Sequence, residues 1–331
     1  MLILSAADVY KSVTMLEAID AVATAYQEYS SHEAVVPLRV PINVPEHKGI
    51  SLFMPGYSPR NEAVGVKIVS VYPENVKNGL PTIHALVVML DGTTGKPVAA
   101  MEGGHLTALR TGAASGVATR YLARADANTV AVIGTGVQAR TQLLAVCSVR
   151  NVKQVLVYDV NPEMAALYAS EMQVQLNNLL GKEVAVTVAV SSRAAVADAD
   201  IIVTATTSQK PVISGSCLKK GVHINGVGSF TPQMQEIDED TVLLARKVVA
   251  DSKEAVLAEA GDLIIPINKG LLKPDTIVEI GDIVSGKKPG RENDDEITFF
   301  KTVGMALLDV VVGNLVYRKA VEKGLGCNVS L

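Results

Sequence analysis

Two groups of residues in this 331-residue chain have types and spacing that could do chemistry. The first is Gly134-Thr135-Gly136-Val137-Gln138-Ala139. It directly follows the apolar run Val130-Ala131-Val132-Ile133 and opens an apolar helical segment that continues through Val146. In that context each small residue has a task. Gly134 permits a tight turn, Gly136 lets the backbone approach a pyrophosphate, and Ala139 allows close helix–strand packing. The helix N-terminus at Val137 and Gln138 offers unpaired N–H groups and a positive dipole end to phosphates. Asp159 ends the next strand, 25 residues after Gly134. A carboxylate there accepts ribose hydroxyls and repels a 2′-phosphate. The run predicts a dinucleotide site, with NAD(H) preferred and NADP(H) left open by the nearby Arg140 and Asn161. Thr204-Ala205-Thr206 ends a later strand at the same carboxyl edge, where ribose and nicotinamide should pass.

The second group is cationic. Lys67 lies mid-strand in Gly65-Val66-Lys67-Ile68-Val69. Arg110 sits in a helix otherwise made of Leu, Ala, Thr and Gly, and Arg39 stands between Pro37 and Pro41. An arginine fork holds a carboxylate bidentately, and a lysine adds a movable charge and a proton donor. Each also has a structural reading: a solvated lysine on an alternating strand, an interhelical salt bridge, a solvated edge arginine. His84 reads as a hydrogen-bonded structural histidine. No His, Asp or Glu cluster has metal-ligand spacing, so no metal is expected.

These residues need elements to position them. Thr14 with Glu17 forms a capping-box pattern, and Met15, Ala18, Ile19, Val22 and Tyr26 recur at helical spacing. Short strands follow over 39–44, 51–54, 65–72 and 83–90. Asp91-Gly92-Thr93-Thr94-Gly95 turns the last of them into a returning strand over 98–101. This is a mostly antiparallel sheet. A small-residue helix over 106–122 follows it. Then strands over 130–133, 155–159, 184–190, 201–205, 223–227 and 248–250 alternate with helical stretches, among them 162–180. Such alternation predicts a parallel, doubly wound sheet. A polar stretch over 285–295 leads to a long amphipathic helix expected from about Phe299 to Lys319. The fold class is α/β: a Rossmann-type doubly wound parallel sheet with a second, α+β domain.

Composition agrees. Hydrophobic residues make up 48% and charged residues 19%, so wholesale disorder is excluded. The net charge of −4 supports neither a nucleic-acid nor an anionic-membrane partner. No apolar run approaches the ~20 residues of a membrane span. The start Met1-Leu2-Ile3-Leu4-Ser5 lacks a signal peptide's basic region. Cys147, Cys217 and Cys327 have neither disulfide-framework nor zinc spacing, which points to a reduced, cytoplasmic setting.

Taken together, several motifs resemble the ornithine cyclodeaminase/mu-crystallin family: Phe53-Met54-Pro55-Gly56-Tyr57, Gly65-Val66-Lys67, 106–115 around Arg110, Gly134 to Arg140, Asn225-Gly226-Val227-Gly228, and Lys288-Pro289-Gly290-Arg291 ahead of 294–298. The likeness spans nearly the whole chain. It implies a substrate-binding and dimerisation domain over 1–122, completed by 299–331, and an NAD(P)-binding domain over 123–298. It further implies a homodimer with the active site in the cleft between the domains, and hydride transfer between nicotinamide and the α-carbon of an amino acid or its imine. By position, Arg39, Lys67 and Arg110 match the family's substrate-carboxylate residues, with Lys67 the catalytic one. Thr82, Arg110, Asn225, Val227, Gly228, Ser229 and Val303 match positions expected at the cofactor.

One departure selects among reactions. In cyclodeaminases, and in some dehydrogenases of the family, the segment after Asn-x-x-Gly carries an aspartate that handles protons at the substrate amine. Aligned on Asn225 and Pro232, that position is Phe230. A phenyl ring cannot deprotonate an ammonium, but it suits the face of a five- or six-membered ring. The expectation is therefore reduction of a cyclic ketimine, Δ1-pyrroline-2-carboxylate to L-proline, with Δ1-piperideine-2-carboxylate to L-pipecolate as the six-membered counterpart. Ornithine cyclodeaminase and alanine dehydrogenase are the enzymatic alternatives. A mu-crystallin-like binding protein is the non-enzymatic one.

Overall fold

The computed structural model describes residues 1–181 and 183–330. It divides into two compact units: Met1–Arg110 with Met305–Leu331, and Thr111–Gly304.

Unit 1 begins with β1 (Leu2–Leu4), α1 (Ala6–Ser12) and α2 (Met15–Ser30). Four strands then run as a meander: β2 (Val40–Val44), β3 (Gly49–Ser58), β4 (Ala63–Val71) and β5 (Ile83–Asp91). β6 (Pro97–Glu102) returns from the predicted turn and leads into α3 (Gly103–Leu122). The expected capping box is present: Glu17 N–H donates to Thr14 Oγ1 and Thr14 N–H donates to Glu17 Oε2. Together these strands form a seven-stranded sheet, mostly antiparallel, in which β1 pairs parallel to β6 and a C-terminal β15 (Cys327–Asn328) closes one edge.

Unit 2 takes up the chain within α3. Its strands are β7 (Thr129–Ile133), β8 (Gln154–Tyr158), β9 (Ala185–Val188), β10 (Ile201–Thr204), β11 (His223–Gly226), β12 (Ala245–Ala250), β13 (Val278–Glu279) and β14 (Ile297–Lys301). All eight are parallel, in the order β13-β12-β14-β11-β10-β7-β8-β9. The helices between them are α4 (Val137–Val149), α5 (Pro162–Leu180), α6 (Ser192–Val196), α7 (Glu239–Leu244), α8 (Lys253–Glu259), α9 (Gly261–Asn268) and α10 (Ile280–Val284). The chain then returns to unit 1 as α11 (Ala306–Glu322). No helix among the described residues is long and apolar enough to cross a membrane.

One expectation differs from the structure. The helix expected from Phe299 to Lys319 is instead strand β14 followed by α11. Ile297-Thr298-Phe299-Phe300 is a β-branched and aromatic run, and it completes the sheet between β11 and β12, where both its faces are covered. The division between the two compact units falls inside α3 and after Gly304. The second half of α3 is bound within unit 2. A Cβ on Gly112 would stand 2.5 Å from the Thr141 carbonyl oxygen. The Arg150 guanidinium donates to the carbonyls of Thr119, Arg120 and Ala123, capping the helix C-terminus with a cation.

Candidate active site

The sheet of unit 2 reverses its winding at β7, with β8 and β9 to one side and β10 and β11 to the other. Ligands of open α/β sheets bind at such a switch point, outside the carboxyl ends of the strands. A crevice of about 450 Å³ opens there, lined by Gly134, Gly136, Asp159, Ala205 and Thr206 among others. Gly134 has φ +91°, and a Cβ on it would stand 2.7 Å from the Ala205 carbonyl oxygen. Glycine alone meets both demands. Gly136 is the N-cap of α4 and supplies no side-chain cap, and no atom lies within 4 Å of where its Cβ would be. The first N–H groups of α4, from Val137, Gln138 and Ala139 onward, are thus left for an external acceptor. Gln138 Oε1 is buried with no hydrogen-bond partner among the described residues. Gly134, Gly136 and the first N–H groups of α4 fit a dinucleotide pyrophosphate. Asp159 is braced at the crevice: Oδ2 accepts from the Thr135 N–H (2.9 Å) and hydroxyl (2.8 Å), and Oδ1 from the Asn161 N–H.

Two buried carboxylates that the sequence did not single out hold several more of the predicted cofactor residues. Glu236 accepts from the Thr204 hydroxyl (3.0 Å) and from the backbone N–H groups of Thr206 (2.6 Å), Gly228 (2.6 Å) and Ser229 (3.2 Å). It therefore ties together the loops that leave β10 and β11. Burial pushes its carboxyl above the usual range, opposed by the Lys301 charge and reinforced by Asp262. Lys301 and Asp262 form a fully buried ion pair at 3.0 Å, and Asp262 Oδ1 accepts from the Glu236 N–H. Asp251 does the same for the loop after β14. It accepts from the Thr302 hydroxyl and from the N–H groups of Val303 and Gly304 at 2.6–3.1 Å, and burial raises its carboxyl.

Other predicted residues of unit 2 are not among those that line the crevice. The Asn225 side chain is engaged within the core of unit 2: Nδ2 donates to Thr119 Oγ1 and Oδ1 meets His223 Nε2. Burial drives the His223 imidazole down to about 3, so it is neutral. Val227 is buried and donates its N–H to the Thr204 carbonyl. Phe230 is 49% exposed. Thr82 belongs to unit 1, in the bend before β5, where its carbonyl accepts from the Tyr72 N–H. His84 is exposed and makes none of the hydrogen bonds expected of a structural histidine among the described residues.

In unit 1 the cations converge on one residue. Lys67 Nζ donates to Asp309 Oδ2 at 2.7 Å, and Arg110 Nε donates to Asp309 Oδ1 at 3.0 Å. Lys67, Arg110 and Asp309 are 3%, 5% and 1% exposed. α11 can lie this close to the sheet because Gly56 and Gly65 carry no side chain; a Cβ on Gly65 would stand 2.9 Å from Met89 Sδ and 3.2 Å from Val310 Cγ2. Burial lowers the Lys67 ammonium to about 8, helped by the Arg110 and Arg39 charges and opposed by Asp309. Arg39, half-buried just before β2, is thus within electrostatic reach of Lys67. Two cations, Lys67 and Arg110, share one carboxylate, a balance that favours a further anion. Asp309 escaped the sequence reading. Its one signal is a lone acid in the apolar run Ala306-Leu307-Leu308-Asp309-Val310-Val311-Val312. Glu236 and Asp251 had none.

Known proteins resemble this chain in sequence and in fold. The sequence profile described as the ornithine cyclodeaminase/mu-crystallin family matches residues 1–324. A Δ1-pyrroline-2-carboxylate reductase of Bacillus cereus (strain ZK / E33L) is 44% identical over 327 residues, covering 98% of each chain. The structure of the Thermococcus litoralis Δ1-pyrroline-2-carboxylate reductase in complex with NADH and L-proline is similar at TM-score 0.92 and 48% identity, covering 99% of this chain and 100% of that one. An archaeal alanine dehydrogenase dimer with bound NAD is similar at TM-score 0.90 and 34% identity, covering 100% and 99%. With its glycine-rich switch-point crevice and its buried lysine–arginine cluster, the chain belongs to the ornithine cyclodeaminase/mu-crystallin family.

Proposed function

We propose that this protein is an NADH-dependent reductase of a cyclic ketimine, converting Δ1-pyrroline-2-carboxylate to L-proline and also accepting the six-membered Δ1-piperideine-2-carboxylate. The observation that carries this reading is the buried Lys67–Arg110–Asp309 cluster, whose surplus of positive charge suits a small carboxylate. NAD(H), when bound, supplies the hydride that ends on the ring carbon bearing the carboxylate. Arg110 and Arg39 hold the carboxylate. Lys67, as the ammonium, donates a proton to the imine nitrogen while the C=N π pair moves onto that nitrogen. Asp159 favours NADH over NADPH by occupying the region of a 2′-phosphate. Phe230, with no acid–base capacity, disfavours cyclodeamination, which must first deprotonate an ammonium.

The protein works as a homodimer in the cytoplasm. In support, one face of the unit 1 sheet is covered by α11, while Val40, Ile42 and Leu86 on the other face are 42–55% exposed. Cys327 is an exposed free thiol, as a reducing compartment permits.

The test is NADH oxidation, followed by absorbance, on addition of the five- or six-membered imine. Ammonia release from ornithine without imine turnover would identify a cyclodeaminase. Turnover with pyruvate plus ammonia alone would identify an alanine dehydrogenase. Cofactor binding without turnover on any of these substrates would identify a binding protein.

A further inference from the structure

We propose that Asp309 is a positioning residue of the reduction: it is the counter-ion that keeps the Lys67 ammonium protonated and aimed, and it fixes Arg110 by its Nε. This rests on the ketimine-reductase reading above. No sequence motif pointed to Asp309; it emerges from the convergence of three elements. β4 carries Lys67, α3 carries Arg110, and the first turn of α11 carries Asp309. The single carboxylate receives one donor on each oxygen, at 2.7 and 3.0 Å, and is itself almost fully buried.

The charges around Lys67 leave no other group to do this. Its register neighbours are Met54 on β3 and Val87 on β5, both uncharged. α3 presents Arg110 and the approach to β2 presents Arg39, both of which oppose an ammonium. Among the strongest influences on Lys67, only those from Asp309 favour its charged form. A buried ammonium beside two guanidinium groups and no carboxylate would lose its proton near neutrality. The protein would then hold the substrate carboxylate but lack the proton that the imine nitrogen must receive. Binding through Nε also orients the guanidinium, so that its terminal amino groups remain to pair with a carboxylate.

An Asn at 309 keeps an oxygen that can accept from Arg110 Nε but loses the negative charge beside Lys67, so Asp309→Asn should act on protonation and not on carboxylate binding. The experiment compares wild type, Asp309→Asn and Asp309→Glu. The Lys67 side-chain nitrogen is titrated by NMR in cofactor-free protein, its resonance identified by its loss in Lys67→Met. Steady-state rates with NADH and Δ1-pyrroline-2-carboxylate are measured from about pH 6 to 9. In Asp309→Asn the Lys67 titration should move down by about one unit or more, and kcat at about pH 8 should fall about fivefold or more. At about pH 6 kcat should recover to within about threefold, with KM unchanged or lower because a competing carboxylate is gone. Asp309→Glu should restore most of the titration and of the pH profile. An Asp309→Asn protein with an unmoved Lys67 titration, or with a uniform rate loss at every pH and a raised KM, overturns the proposal. The titration does not depend on the substrate. If wild type reduces no cyclic imine, the ketimine reading fails, and a downward shift of Lys67 in Asp309→Asn still separates that failure from failure of the Asp309 assignment.

Discussion

At the scale of single residues, Lys67 is costly to the fold and, in the reaction we propose, useful to the chemistry. Its folded pKa of about 8 lies below the ordinary 10.5. Between these values the folded state binds fewer protons than the unfolded one, so stability rises with pH across that window, and the burden of the buried charge is fully present below about pH 8. Lys67→Met should therefore melt no lower than wild type at neutral pH, with the gap narrowing as pH rises toward 10.5, as scanning calorimetry would show. The same variant should lose about 10²-fold or more in kcat while binding NADH normally, which separates a proton donor from a structural lysine. In wild type, kcat/KM should decline as pH rises through about 8, because the reaction needs the ammonium. Asp159→Ser tests the cofactor side: NADH should bind more weakly and the preference over NADPH should shrink.

At the scale of elements, the cofactor crevice depends on loops held from beneath. The carboxyl ends of β10 and β11 are joined through Glu236, and the loop after β14 is held by Asp251. Glu236→Gln keeps the size of the side chain but replaces an acceptor oxygen with a donor that faces N–H groups. It should weaken NADH binding by about tenfold or more, measured by fluorescence titration, and lower stability by about 1–3 kcal/mol. Gly134→Ala meets two obstacles, positive φ and the Ala205 carbonyl 2.7 Å away. It should cost about 1–3 kcal/mol and a larger share of cofactor affinity, since the turn itself faces the pyrophosphate. The sequence showed Gly134 because only its position after a strand matters. It could not show Glu236, whose partners on 204, 206, 228 and 229 come together only when two parallel strands lie side by side.

At the scale of the whole molecule, the exposed apolar face of the unit 1 sheet accounts for the homodimer we propose. Ile42→Asp with Leu86→Asp should yield a monomer by light scattering at micromolar concentration, with the NADH crevice of unit 2 intact. The sequence by itself determined the parallel α/β architecture, the nucleotide turn and the cationic types at 39, 67 and 110, because periodicity, glycine placement and isolated charges are local properties of the chain. It misplaced the C-terminal helix because a strand over Ile297–Lys301 is recognisable only once a gap between β11 and β12 needs filling. It missed Asp309 for the same physical reason. A carboxylate 242 residues from its lysine meets it only when α11 folds back onto a glycine-bearing sheet, and the burial that follows lowers the ammonium of the lysine we propose as the proton donor.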